Sequence, residues 1–439
     1  MTRPEAFSPT ETSKSPPIFA AVAWILAALA ALWILAATSP PRSYGDTLFS
    51  RLATVYALAH EGSFAIALPG EPSSNPFVER TVDKVEIRGR TLSSKPPVLP
   101  LLMTAEYTAL RAIAGWSLDE PGDLSRITRV MTLSIVGVPF VVLVWMLTRS
   151  VQWLGVAAGP AAFLALASIF GTQAGAYATV FNNHVPAAAA VMVCFYLAIR
   201  LVLDSAAARP RTFLGFGAAA GLAANVDVPV AVFPVLLGLA LAPRFLKPLL
   251  IWSLPAAGLF IIAQCIVLFI STGSPLPVQL HPNAYLFENS HWRNPLGVDA
   301  LNDPSAVYLF HITLGRVGIF SLFPITLLAV PGVVRWMKRT SANASIALCG
   351  VTGSITLAAY YVLSTNNYGG SAFGFRWFIV LGPVLLLMAA PALRDFRGGW
   401  RWVFVVALFG VSCVSMVQCY ARPWESNREW TTRVFGPSL

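Results

Sequence analysis

Two side chains near the start of the sequence have the chemistry to act together on a hydroxyl group and a phosphate. Asp46 stands in "SYGDTLFSRL", directly after a long apolar segment, and Lys95 stands in "SSKPPVLPLL", immediately before two prolines. A positioned carboxylate can accept a hydroxyl proton, and an ammonium group can bind phosphate. Each residue also has a plainer interpretation. Asp46 could be the N-cap of an amphipathic helix over 47–60, which Gly62 would end, and Lys95 could be a lysine that reaches toward the lipid surface.

Three further places combine polar residues with apolar surroundings. Asn182, Asn183 and His184 enter an apolar segment together in "TQAGAYATVFNNHV", where each needs a hydrogen-bond partner. Arg376 follows three glycines in "NNYGGSAFGFRWF", and glycines permit close approach of the backbone to a ligand. His311 and Arg316 end another polar segment. The plainer alternatives are a structural histidine and arginines that extend toward the membrane surface.

The composition indicates what must position these residues. The chain has 439 residues, of which 56% are hydrophobic and only 11% charged, with a mean hydropathy of +0.66. These values are typical of an all-α polytopic membrane protein rather than a water-soluble domain. The five cysteines lie in or beside apolar runs, so no disulfide framework is indicated. No nucleotide-binding loop, zinc-protease motif or serine nucleophile motif is found, and no internal repeat is visible.

About eleven apolar segments are long enough to be considered as membrane spans. The first, 18–38, is uncharged and predicts a retained anchor. The others are 127–148, 154–171, 185–203, 212–226, 229–242, 248–271, 317–334, 342–364, 376–392 and 401–420.

Basic residues alternate along the connections between these segments. Connections 172–183, 227–228 and 365–375 contain no Lys or Arg. The basic set comprises Arg149, Arg200, Arg209, Arg211, Arg244, Lys247, Arg335, Lys338, Arg339, Arg394, Arg397 and Arg401. By the positive-inside rule the basic set is cytoplasmic, with the amino terminus inside and the carboxyl terminus outside. The net charge of +10 is thus assigned to topology and not to nucleic acid.

Segment 96–116 tests this scheme, because counting it as a span would reverse every later connection. It contains Glu106 and Arg111, which are costly in the bilayer centre, so we interpret it as a helix at the membrane interface. The predicted organisation then has two large outer loops with in-plane helices. Its parts are a cytoplasmic tail (1–17), one transmembrane domain (18–420) with outer loops 39–126 and 272–316, and an outer carboxyl-terminal tail (421–439).

The order of these motifs resembles the GT-C superfamily of membrane glycosyltransferases, in the branch of protein O-mannosyltransferases and bacterial aminoarabinose transferases. The matching pieces are "GDTLFSRLATVYALAHEGSF", "LSSKPPVLPLL" and "FNNHVPAAAAVM", all within roughly the first 205 residues. "YGGSAFGFRWFIVLGP" resembles a late-chain motif of bacterial relatives.

The resemblance implies an inverting transfer of a sugar from a polyprenyl-phosphate donor to an acceptor hydroxyl of a glycan, lipid or protein at the outer face of a bacterial inner membrane. It makes Asp46 the general base and Lys95 the contact of the lipid phosphate, with Arg376, His184, Asn183, His311 and Arg316 as further substrate-binding residues. Family members often have a second acid after the first and acids in the next outer loop. Thr47 and the Asn182–His184 group stand there instead, which disfavours a divalent metal; no cofactor is predicted.

Two other classes of function stay open at this stage. A transporter or flippase for a lipid-linked substrate could bind it with the same polar groups, although such proteins commonly show paired repeats. A non-catalytic membrane assembly subunit is the second alternative. The sequence specifies neither the sugar, the acceptor, the length of the lipid carrier nor the oligomeric state.

Overall fold

The protein is largely helical in a computed structural model that describes residues 17–70, 72–281, 283–338, 341–365, 367–394 and 399–425. Residues 1–16 of the predicted tail (1–17), residues 426–439, Arg339, Asn366 and Arg397 lie outside the described residues. The helices of the described part are α1 (Pro17–Ala37), α2 (Asp46–Glu61), α3 (Val98–Ala114), α4 (Pro121–Thr132), α5 (Val138–Trp153), α6 (Ala158–Phe170), α7 (Gln173–Tyr177), α8 (His184–Leu203), α9 (Pro210–Val226), α10 (Val232–Pro248), α11 (Leu254–Thr272), α12 (Ser305–Thr313), α13 (Ile319–Leu322), α14 (Ala329–Met337), α15 (Ser341–Ser364), α16 (Leu381–Arg394) and α17 (Gly399–Ala421).

Six helical runs in the described residues are long and apolar enough to cross a membrane. They are Ala20–Ala37, Pro121–Trp153, His184–Leu203, Val228–Thr272, Ala344–Ser364 and Gly399–Ala421, and three shorter apolar helices accompany them, Ala158–Phe170, Pro324–Met337 and Leu381–Arg394. The all-α membrane fold is thus confirmed, whereas the number eleven is not. Apolar segments 229–242 and 248–271 join into one run with non-helical φ and ψ at Phe245, and α9 is too short and too weakly apolar to qualify.

The centre of the molecule is α8, which packs between α5 and α9. Its sequence "HVPAAAAVMVCF" begins with small residues, and small side chains let neighbouring membrane helices approach closely. Ala187, Ala188 and Val191 are buried completely or nearly so. This packing fixes the first turn of α8, where His184 lies.

The predicted helix over 47–60 is confirmed as α2. Leu48, Leu52 and Val55 form its buried stripe, and Gly62 ends it with a φ of 64°, in the left-handed region that favours glycine. Helix α3 packs on α2 and covers the predicted interfacial segment 96–116. Although apolar, α3 is among neither the six candidate spans nor the three shorter apolar helices of the described residues.

Between α2 and α3 lies a two-stranded antiparallel hairpin that the sequence analysis missed. Strands β1 (Lys84–Ile87) and β2 (Arg90–Ser93) pair with Lys84 opposite Ser93, and the turn at Arg88 and Gly89 has φ values of 54° and 69°. Two consecutive positive φ values are characteristic of the tight hairpin turn that matches strand twist. The hairpin brings residue 83 beside residues 94 and 95, since Ser94 N donates to Asp83 O at 3.0 Å.

Candidate active site

Lys95 forms a short ion pair with a residue that the sequence analysis did not select. Its Nζ lies 2.7 Å from Oδ2 of Asp83, and the two side chains are 18% and 10% exposed. Burial opposes ionisation of Asp83, but Lys95, Arg376 and Arg51 outweigh it and hold the pKa of this carboxyl below its usual value. Burial lowers the pKa of the Lys95 ammonium against the opposing effect of Asp83, and Arg376 and Arg51 lower it further.

Arg51 is a second buried cation at this place. It lies on α2, is 1% exposed, and donates from Nη1 to the Thr47 carbonyl at 2.9 Å and from Nη2 to Oδ1 of Asn183 at 3.1 Å. Burial lowers the pKa of its guanidinium to about 10. Its Nε is buried and has no hydrogen-bond partner within the described part of the chain.

His184 and Asp227 form a buried dyad next to Arg51. His184 Nδ1 lies 2.7 Å from Oδ2 of Asp227, and the side chains are 11% and 8% exposed. Asn183, which accepts from Arg51, donates to the Val226 carbonyl at 3.2 Å. The start of α8, the end of α9 and α2 are therefore joined by one chain of polar contacts.

Arg376 completes this group from the far end of the sequence. The glycines before it adopt φ values of 91°, 70° and 69° at Gly369, Gly370 and Gly374, a backbone conformation that favours glycine. A Cβ at Gly369 would lie 3.2 Å from Cγ of Arg376, so the backbone there packs on the arginine. The Arg376 Nε is buried without a hydrogen-bond partner in the described residues.

We call the charged side chains of this region the charged cluster: Lys95, Arg51, Arg376, Asp83 and Asp227, with His184. Arg51 and Arg376 act electrostatically on both the Lys95–Asp83 pair and His184, so the two pairs lie within electrostatic range of the same two guanidinium groups. Three cations face two carboxylates. Because an unpaired buried charge costs several kcal/mol, such an arrangement favours an anionic ligand.

Asp46, the predicted base, occupies a different position. Its side chain is exposed at the start of α2, Oδ1 accepts from the Val82 amide at 2.7 Å, and its carbonyl accepts from Thr81 Oγ1 at 2.9 Å. The alternative that Asp46 is the N-cap is wrong, because Gly45 takes that position and Asp46 bonds to Val82 instead. The contacts of Asp46 hold the 81–83 segment in place and include no charged side chain of the cluster.

His311 and Arg316 belong to a separate network that we call the loop network: Asp303, His311, Arg316 and Tyr368. Arg316 Nη2 lies 3.3 Å from Oδ2 of Asp303, which also accepts from the Tyr368 hydroxyl at 2.6 Å. The Arg316 guanidinium lies over the Tyr368 ring, and its backbone amide donates to His311 Nδ1 at 3.4 Å. Here the arginine has a carboxylate partner of its own.

Sequence reasoning missed Asp83, Arg51 and Asp227 as members of the site. The signal for Asp83 was the alternation of Val85 and Ile87 with polar residues, followed by a turn, which predicts a hairpin and hence the proximity of 83 to Lys95. Arg51 gave no comparable signal. Asp227 was assigned to the short connection 227–228 but was not connected with His184.

A metal centre does not fit these residues. No three His, Cys, Asp or Glu side chains of the described ranges are grouped as metal ligands would be. His184 and Asp227 supply two possible ligating groups, and they bind each other.

Two cavities lie at different distances from the cluster. A cavity of about 320 Å³ lies by the other end of α8, lined by Arg200, Asp204, Arg209 and Arg211 among others. A small cleft of about 20 Å³ lies beside Lys95, between Thr54 of α2 and Thr272 of α11. The larger volume has no charged side chain in common with the cluster, whereas the smaller one is lined by Lys95.

The described residues combine long apolar helices with a cluster of buried charged side chains. Two solved structures of ArnT from Cupriavidus metallidurans are similar to this chain, and ArnT is an aminoarabinose transferase of the GT-C type. The apo structure aligns with a TM-score of 0.56 and 13% identity over 89% of this chain and 61% of ArnT. The structure bound to undecaprenyl phosphate aligns with a TM-score of 0.53 and 14% identity over 92% of this chain and 64% of ArnT.

The chain thus spans less than two thirds of the length of these ArnT chains. No protein-family model matches the sequence, and no curated protein matches it. The predicted resemblance is therefore confirmed for the fold, which is that of an integral membrane protein. At these identities the fold alone is shared.

Proposed function

We propose that this protein transfers a sugar from a polyprenyl-phosphate donor to an acceptor hydroxyl, with inversion at the anomeric carbon. The observation that carries the proposal is the excess of buried positive charge around Lys95, in a fold whose solved counterpart binds undecaprenyl phosphate. The transferring sugar leaves a phosphate, on which negative charge develops. Cations positioned in advance at that phosphate stabilise the transition state more than the ground state.

Lys95, Arg376 and Arg51 are the groups proposed to hold this phosphate. Arginine binds phosphate oxygens with two donors, and both guanidinium groups have a buried Nε without a partner in the described residues. Lys95 is paired with Asp83 at 2.7 Å, so phosphate must compete with that carboxylate. Asn183 keeps Arg51 oriented through its 3.1 Å hydrogen bond. His311 and Arg316 are proposed to support the substrate site indirectly, through Tyr368 and the following glycines.

The lipid chain has a natural place beside Lys95. The cleft there is lined by Ser271 and Thr272 at the end of α11 and by Pro97 at the start of α3. Helix α11 is apolar and largely exposed, with Leu259 69%, Ile262 60% and Phe269 60% accessible. A prenyl chain lying along α11 would stay in hydrocarbon while its phosphate reaches the cluster, which accounts for an enzyme embedded in the membrane.

The proposed location is the outer face of a bacterial inner membrane. The connections that lack Lys and Arg supply Asn183, Asp227 and the glycines before Arg376, and all of them meet at the charged cluster. Under the positive-inside rule this end faces away from the cytoplasm. The acceptor is then a glycan, lipid or protein hydroxyl on that side.

A binding measurement tests the phosphate site directly. Undecaprenyl phosphate is titrated into purified wild-type protein and into K95M and K95R. We expect K95M to bind about 100-fold more weakly, because truncating one partner of a buried charge contact costs about 2–5 kcal/mol. K95R keeps the charge and should retain most of the affinity.

A transfer assay then separates a transferase from a transporter or an assembly subunit. Labelled polyprenyl-phosphate sugars are offered as a panel, and release of undecaprenyl phosphate is measured with wild type and D46N. Asp46 is the sequence-based candidate for the proton acceptor, and on that hypothesis D46N loses turnover but keeps donor binding.

For the binding measurement, equal phosphate affinity in wild type and K95M would contradict the proposed site.

A further inference from the structure

If the chain catalyses the proposed transfer, the charge on the reacting phosphate changes during the reaction. A donor phosphodiester carries one negative charge. When the bond between the anomeric carbon and the phosphate oxygen breaks, its electron pair stays on oxygen, and the leaving monoester carries close to two. A site that binds both states well must gain one positive charge as the bond breaks.

The charged cluster holds the means of gaining that charge. Lys95, Arg51 and Arg376 against Asp83 and Asp227 leave one net positive charge while His184 is neutral. This matches the single charge of the donor. Protonation of His184 raises the net charge to two, which matches the product. The only further group required is the proton of the acceptor hydroxyl, which has to leave as the glycosidic bond forms.

The geometry of the dyad suits this role. Asp227 accepts at 2.7 Å from Nδ1 of neutral His184, which fixes the tautomer in which Nε2 carries the free lone pair. Nε2 has no hydrogen-bond partner among the described residues, and the side chain is 11% exposed. Once Nε2 is protonated, the Asp227 carboxylate stabilises the imidazolium, as the acid does in histidine-based catalysis generally.

Asp46 is less suited to the same task. It is exposed, Oδ1 is engaged by the Val82 amide, and its contacts include none of the cluster's charged groups. Protonating it would remove a negative charge at the surface, where screening weakens the effect on the phosphate. The charged and titratable groups that surround His184 are Asp227 after α9, Arg51 of α2 and Arg376, with Tyr361 of α15 in the field of Asp227.

We propose that the His184–Asp227 dyad is the proton acceptor of the transfer reaction, and that its protonation balances the charge that develops on the departing lipid phosphate. The acceptor oxygen bonds to the anomeric carbon, its proton moves to Nε2 of His184, and the carbon–oxygen bond to phosphate breaks with its electrons on the phosphate. Atoms and charges balance without any other reactant.

The test uses the sugar-free product, so it does not depend on the identity of the sugar. Undecaprenyl phosphate binding to the full chain is measured at pH 7.5 by calorimetry in buffers of different ionisation enthalpy, which gives the protons taken up on binding. Wild type should take up substantially more protons than H184Q, by up to one per phosphate bound. On the rival hypothesis that Asp46 is the acceptor, D46N instead of H184Q would lose this uptake.

D227N serves as the second variant, because it keeps the histidine and removes only its carboxylate partner. Because the imidazolium is less stabilised without the carboxylate, D227N should take up fewer protons than wild type. Thermal unfolding of each variant confirms that it is folded. If H184Q takes up as many protons as wild type, if D46N alone abolishes the uptake, or if wild type shows none while it binds phosphate, the dyad is not the acceptor. If wild type does not bind undecaprenyl phosphate, the proposed function fails first.

Discussion

The charged cluster and the loop network contain the same kinds of residue but balance their charges differently. In the loop network one carboxylate, Asp303, receives both Arg316 and the Tyr368 hydroxyl, so each charge has its partner. In the charged cluster three cations share two carboxylates, and two guanidinium Nε atoms lack a partner within the described residues. Charges that are all paired stabilise the fold, whereas an excess of positive charge favours the binding of an anion.

The largest expected difference between the two regions is in phosphate affinity. R376Q should weaken undecaprenyl phosphate binding by about 30-fold, which corresponds to about 2 kcal/mol for a buried charge contact. R316Q should leave the affinity within about twofold and instead lower the free energy of unfolding by about 1–3 kcal/mol, because Asp303 loses its cation. Titration and thermal unfolding of both variants measure this.

Similar results for R376Q and R316Q would contradict the distinction between the charged cluster and the loop network. A similar loss of affinity in R316Q would show that the loop network also contacts the phosphate.

A smaller effect is expected from alkaline pH. Burial and the two arginines lower the pKa of Lys95, so it loses its charge below the ordinary value of 10.5, and phosphate binding should weaken as pH rises toward that point. Between pH 8 and 10 the free phosphate is already a dianion and does not titrate. An arginine at position 95 keeps its charge over this range, so affinity should decline less with pH in K95R than in wild type.

Affinity measured from pH 8 to 10.5 in both proteins distinguishes the cause. If affinity declined over the same pH range and to the same extent in wild type and K95R, deprotonation of Lys95 would not be the cause.

The smallest expected effect concerns the glycines before Arg376. G369A forces a side chain onto a φ of 91° and places its Cβ 3.2 Å from Cγ of Arg376, so affinity should fall by about threefold while stability falls by about 1–2 kcal/mol. Gly297 is the matched control, with a φ of 62° and open space around its Cβ position. G297A should lower stability without changing phosphate affinity. If G369A and G297A bound phosphate with equal affinity, the backbone at Gly369 would have no influence on phosphate binding by Arg376.

Much of the fold could be predicted from the sequence because apolar length and basic-residue placement act over whole segments. Helix α2, the end of it at Gly62, and the exclusion of 96–116 from the spans followed from such patterns. The number of spans did not. Helical kinks such as that at Phe245 and the break of 317–334 into short helices depend on packing between helices, which hydropathy does not record.

The sequence identified segments that contribute to the charged cluster, but not the pairs of side chains within it. The segments holding Lys95, His184 and Arg376 were identified, and the structure brings them together. The acid beside Lys95 was expected to be Asp46 and is Asp83, since the short hairpin between them determines which side chain turns inward. Its strands have four residues each, too few for a strong periodic signal.

The hairpin also sets a length rule for this part of the chain. Side chains alternate between the two faces of a strand, so one residue added within β1 or β2 would move Lys95 or Asp83 to the opposite face, while two added residues would restore the facing. Additions at the Arg88–Gly89 turn leave the register untouched. Residues can therefore be added at the turn without changing how Asp83 faces Lys95, whereas residues added within a strand must come in pairs.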